Sequence, residues 1–179
     1  MENEKIVQMA LQEGFADAAI INTGNIVFDA SFRPYCEENL CGHYGENYSC
    51  PPDCGTPEEM KQRVQKRPYA LVLRTVWDIN DFKDSALIKF AKQQHNAYTM
   101  RVIEQMEKLG HMGLMVGASG CSLCNPCSIT KGEPCKYPNK RYSCMSAYCI
   151  YVKDLAEKCG MVYGYKPGAL PFFSMYVYG

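Results

Sequence analysis

Cys121, Cys124 and Cys127 stand in a C-x2-C-x2-C run, and Cys135 follows after seven further residues. Three thiols this close can ligate three corners of one inorganic centre from a single loop, and a fourth a few residues on can close the site. That is what a backbone must supply to an iron–sulfur cluster. A second group, Cys36, Cys41, Cys50 and Cys54, is looser, C-x4-C-x8-C-x3-C. Four thiolates within nineteen residues repel one another unless a cation lies among them. The two groups take eight of the eleven cysteines. The spacing predicts two 4Fe–4S clusters, one ligated by Cys121, Cys124, Cys127 and Cys135, the other by Cys36, Cys41, Cys50 and Cys54. Zinc is the alternative, although zinc sites usually set two ligand pairs apart instead of running three thiols together.

The remaining candidates have plainer readings. His43 could replace one thiol of the first group but reads better as a surface imidazole. Cys144 lies nearest the second group in sequence and is its spare ligand. Cys149 and Cys159 fall on or near an expected helix, where cysteine packs as a small apolar residue. His95 and His111 read as structural. Lys136, Lys140 and Arg141 form a small basic group beside Cys135, either a solvated loop or a face for an acidic partner.

Composition narrows the setting. The formal net charge is zero and the isoelectric point near 6.8, which excludes broad attraction to nucleic acid or anionic lipid. Apolar residues make up 47%, enough for a core. Met1-Glu-Asn-Glu-Lys5 lacks the apolar stretch of a secretory signal, and no apolar run is long enough to span a bilayer. A cytoplasmic setting is expected. Thiols stay reduced there, so a cysteine pattern points to metal and not to disulfides; an odd total of eleven also suits pairing poorly.

The elements that must position these loops are legible from periodicity. Residues 3–13 read as a helix stopped by Gly14. Residues 18–21 and 26–28 flank Asn22-Thr-Gly-Asn25 as a strand–turn–strand. Thr56 caps a helix that opens on Pro57, Glu58 and Glu59 and runs to about residue 66. Residues 69–77 form the clearest strand, and 81–109 a long helix with an apolar stripe. Further strands are expected at 111–116 and 172–178, with a helix at 145–158. The alternation predicts one α/β layered domain over residues 1–179, with a mixed β-sheet flanked by helices and cysteine loops at about 31–55 and 117–142. No P-loop, G-x-G-x-x-G, H-E-x-x-H or G-x-S-x-G occurs. The run is also not the C-x3-C-x2-C of radical enzymes that use S-adenosylmethionine.

The segment Cys41-Gly-His-Tyr-Gly-Glu-Asn-Tyr-Ser-Cys50-Pro-Pro resembles a signature of the family known as domain of unknown function 2284, predicted metal-binding proteins. So does Gly117-Ala-Ser-Gly-Cys121-x2-Cys124-x2-Cys127 with Glu-Pro-Cys135-Lys-Tyr-Pro138. Arg141-Tyr-Ser-Cys-Met-Ser-Ala-Tyr-Cys-Ile150 is similar to that family's Arg-Pro-Ser-Met-Glu-Ala-Tyr-Gly-Ile segment; Cys144 and Cys149 replace other residues there, which supports treating them as non-ligands. The resemblance covers about residues 30–160. It implies two cysteine-ligated metal sites in a small cytosolic protein of anaerobic microbes, and supplies no activity. Three functions stay open: electron transfer between redox partner proteins, an enzyme using an open-site 4Fe–4S cluster as Lewis acid or sulfur-binding centre, and a structural zinc-binding adaptor.

Overall fold

The computed structural model describes residues 1–39 and 41–179; position 40, inside the first cysteine loop, lies outside the described residues. The order is α1 (Glu2–Gln12), β1 (Asp17–Asn22), α2 (Arg33–Glu37), α3 (Pro57–Gln65), β2 (Tyr69–Trp77), α4 (Ser85–Lys108), β3 (Gly113–Gly117), β4 (Ser143–Cys144), α5 (Val152–Lys158) and β5 (Leu170–Tyr178). One mixed sheet has the order β1-β2-β5-β3-β4. Neighbours are antiparallel except β3 and β4, which run parallel. Ile20 faces Leu71, Val72 faces Met175 and Leu114 faces Val177 across the ladders.

Side chains alternate along a strand, so the nearly all-apolar β2 and β5 must be covered on both sides. Leu71, Leu73, Tyr176 and Tyr178 pack against Ile6 and Ala10 of α1 and Val102 and Met106 of α4. Their neighbours Ala70, Val72, Met175 and Val177 turn the other way, onto Met60 and Val64 of α3 and Leu155 and Ala156 of α5. The expected layered α/β arrangement is therefore present. α3 carries the expected reciprocal cap: Thr56 Oγ1 accepts from the Glu59 amide at 3.2 Å, and Glu59 Oε2 accepts from the Thr56 amide at 2.9 Å.

Two expectations fail locally. Residues 26–28 do not return as a strand. The Asn22 side chain accepts from the Gly24 amide and starts a short 3-10 turn, β1 pairs with β2 instead, and Phe28 keeps one isolated bridge to Ile150. The helix expected from 145 begins only at Val152, because Cys149 sits at φ 56°, a left-handed conformation that no α-helix continues through.

A buried chain of hydrogen bonds joins α4 to the sheet. Trp77 Nε1 donates to Thr75 Oγ1 (2.7 Å), which lies 2.6 Å from His95 Nδ1. His95 Nε2 is 2.7 Å from Ser174 Oγ, which is 2.8 Å from Thr99 Oγ1, and Thr99 donates to the His95 carbonyl at 2.9 Å. The indole can only donate, so the Thr75 hydroxyl turns its proton to Nδ1 and a neutral ring donates from Nε2. Burial pushes His95 down to about 3. The folded protein thus favours the uncharged ring. Its advantage is complete above the ordinary value of 6.5 and is lost as pH falls from there toward 3. Urea midpoints between pH 7.5 and 4.5 should show His95→Gln less stable than wild type at neutral pH. The gap should close by about 1.4 kcal/mol per pH unit below 6.5. A gap independent of pH would mean that the ring is not held neutral.

Candidate metal centre

Both cysteine segments meet at the β3–β4 edge of the sheet. Residues 118–142 connect the two strands, which pair Val116 with Ser143 and Gly117 with Cys144. The connection starts under the control of α4: buried Asn96 accepts from the Ala118 amide at 2.8 Å and donates to Ser119 Oγ at 3.0 Å. It closes through Tyr142, whose buried ring leaves its hydroxyl 3.3 Å from the Ser122 amide and 3.2 Å from Ser122 Oγ. A Cβ on Gly117 would stand 2.8 Å from both the Ser119 carbonyl oxygen and the Tyr142 ring, so only glycine fits this turn.

Cys121, Cys124, Cys127 and Cys135 line one cavity, with Asn47 and Ser128 on its wall. The second group expected from the spacing is thus brought together. Among the described residues, no three His, Cys, Asp or Glu side chains converge on a point where one ion could sit. The four thiols line one space, a donor set that fits a metal centre. Ser128 Oγ is buried on the same wall and has no partner among the described residues, a donor left for a sulfur acceptor. Burial pushes the Cys121 thiol up, with smaller contributions from Cys135 and Cys127; the amides of Leu123 and Tyr142 pull the other way.

The first group is organised by Arg33. Its buried guanidinium donates to the Gly55 carbonyl at 2.7 Å, to the Ala147 carbonyl at 2.9 Å and to Met60 Sδ at 3.2 Å, while Nε lacks a partner among the described residues. Since α2 carries both Arg33 and Cys36, this clamp fixes Cys36 against the Cys54–Gly55 turn and the 144–150 turn. Burial, then neighbouring sulfurs, push Cys36 up to about 11 and Cys50 up to about 12. Burial also raises Cys54, which the guanidiniums of Arg33 and Arg63 oppose. His43 is exposed, as a surface imidazole should be.

Cys144 departs from its expected place. Its sulfur neighbours are the thiols of the first group, and it acts on Cys36 and Cys50 more strongly than any other thiol does. Cys159 is half-buried against the α3–α5 side of the core, as a packing residue, whereas Cys149 is buried beside Arg33 and belongs to none of the apolar clusters among the described residues. Arg33 went unrecognised in the sequence. It is the sole lysine or arginine between Lys5 and Lys61, and that isolation in an acidic, cysteine-bearing stretch is the signal.

The two groups abut. A Cβ on Gly120 would lie 3.2 Å from Cys50 Sγ, and Asn47 Nδ2 donates to the Cys121 carbonyl at 2.9 Å while its Oδ1 accepts from the Ser49 amide at 2.9 Å.

A family model described as predicted metal-binding protein (DUF2284) matches residues 19–177. The chain belongs to the DUF2284 family. No curated protein and no solved structure matches it. In this DUF2284 protein all eight cysteines of the two expected groups lie within the matched span, as do Arg33, Asn47 and Asn96. No helix among the described residues is long and apolar enough to cross a membrane.

Asn47 is the polar link between the two loops. Asn47→Ala should cost about 1–3 kcal/mol, the penalty for orphaning buried partners. Hydrogen exchange should speed up at the amides of both 47–50 and 120–122. Faster exchange confined to 47–50 would show that the loops are not coupled through this side chain.

Proposed function

We propose that this DUF2284 protein is a cytoplasmic iron–sulfur protein carrying two 4Fe–4S clusters, which passes electrons between redox partner proteins. One cluster is held by Cys121, Cys124, Cys127 and Cys135, the other by the thiols around Cys36, Cys41 and Cys50, with Cys54 as the fourth ligand that spacing suggests. The observation that carries this reading is the contact between the two groups, Gly120 against Cys50 Sγ and Asn47 on the Cys121 carbonyl. Two thiol-lined sites sharing a wall suit a relay, since an electron then has a short path from one to the other. Bound clusters supply one-electron oxidation and reduction. The chain's own part is to hold them, shield them and present a face. Lys136 and Arg141 border the second site and offer that face to an acidic partner.

A second reading, an enzyme with an open iron, is favoured by one feature. A cavity of about 250 Å³ beside the centres is lined by Cys54, Arg63, Arg141, Tyr48, Tyr142 and Tyr148. Two guanidiniums and three phenols suit a small anion. The structural zinc adaptor has less support from the spacing, since zinc sites usually set two ligand pairs apart.

Purified without oxygen, the protein should be brown, with about eight iron and eight sulfide per chain. The singly and doubly reduced forms should give electron paramagnetic spectra that differ through coupling between the clusters. A colourless protein with stoichiometric zinc would overturn the iron–sulfur reading. Two independent spectra, with a unique iron detected by Mössbauer spectroscopy, would favour the enzyme.

A further inference from the structure

Both cysteine loops and the sheet edge contribute to the cavity of about 250 Å³ beside the centres. Ser49 from the first loop, Tyr142 and Ser143 where β4 begins, and Tyr148 from the turn that follows are buried and form its inner wall. Arg63 of α3 and Arg141 of the 118–142 connection also line it and are exposed, so their guanidiniums stand on the solvent side.

The charge on this wall has one sign. No Asp or Glu lines the cavity, and neither arginine makes an ion pair among the described residues. Each is held by a neutral group instead, which fixes the side chain without cancelling its charge. Arg63 Nη1 donates to the Cys54 carbonyl at 2.7 Å. Gly55 leaves room for the rest of that guanidinium, since a Cβ there would stand 2.8 Å from Nη2. Glu59, one turn earlier on α3, spends its Oε2 on the Thr56 amide. The Arg141 guanidinium lies 5.9 Å from the centre of the Tyr48 ring, and the Tyr48 hydroxyl donates to the Glu133 carbonyl. A guanidinium fork is suited to carboxylate or phosphate oxygens.

Size and wall chemistry choose between those anions. A cavity of about 150 Å³ already holds benzene, so inorganic phosphate would fill only part of this one. Tyr142, Tyr148 and Leu114 offer apolar surface to a carbon body, which inorganic phosphate lacks. We propose that this cavity binds a small organic acid of about benzoate's size, its carboxylate in the field of Arg63 and Arg141 and its carbon body against Tyr142, Tyr148 and Leu114. The assignment gives a ligand class to the cavity on which the enzyme reading above rests, and it requires no particular metal in either centre.

The test titrates protein purified without oxygen with benzoate, acetate and inorganic phosphate, by calorimetry at low ionic strength. Benzoate should bind more tightly than acetate or phosphate, and its binding should weaken as salt screens the arginines. Arg63→Gln and Arg141→Gln should each weaken benzoate by about tenfold. Absence of benzoate binding, benzoate no tighter than acetate or phosphate, or unchanged affinity in either folded variant overturns the proposal. If one variant fails to fold, the other decides alone. Iron and sulfide counts on the same samples keep two failures apart. Benzoate bound by a protein without iron removes the iron–sulfur reading and supports this site; a brown protein that ignores benzoate keeps the clusters and overturns the site.

Discussion

Burial and neighbouring sulfurs raise Cys36 to about 11 and Cys50 to about 12, so these thiols stay protonated at neutral pH until a cation lies among them. The surrounding architecture follows from that constraint. Crowded sulfurs add little packing, and the loops that bear them contain few apolar residues, so the thiols must be gathered by groups outside the loops. Arg33 clamps three segments with one guanidinium, and Asn96 reaches from α4 to fix the turn that leads into the second group. Each is a buried polar side chain that bonds to backbone and to a neutral side chain, which holds a loop without adding a competing anion.

The sheet makes this possible. β2 and β5 are apolar on both faces and lie inside the sheet, so most of the core is built by the helices and strands, with Cys54 as a contribution from the first cysteine loop. β4 is only two residues long and sits at the edge. It adds little to the sheet's stability but places Cys144 in register with Gly117, and through Gly117 with both thiol groups. A short parallel edge strand here acts as a positioning device.

Much of this was legible from residues alone. The apolar run over 69–77 gave β2, the alternation over 172–178 gave most of β5, and Thr56 with Pro57, Glu58 and Glu59 gave the start of α3, because those signals are local. The C-x2-C-x2-C run marked a shared site for the same reason: three thiols in one loop have few places to go. What failed was non-local or conformational. Residues 26–28 carry strand-forming side chains, but the Asn22 cap diverts the chain before they can pair. The apolar periodicity after Met145 does not register that Cys149 adopts a left-handed backbone. Cys144 reads as a neighbour of Cys135 because it is close in sequence, whereas the parallel pairing carries it to the other group. Gly117 is required by the Ser119 carbonyl and the Tyr142 ring, and Gly120 lies close against the Cys50 sulfur, contacts that no local pattern announces.

The shared wall also bears on how the protein is assembled. Asn47 holds Cys121 in place from one loop while ordering Ser49 in its own, and Gly120 from the other loop seats Cys50. If both groups hold metal, filling one would stiffen the wall of its neighbour and lower the entropy that the second must lose on filling. By linkage the effect would be mutual, so loading would be cooperative and half-filled molecules scarcer than two independent sites would give.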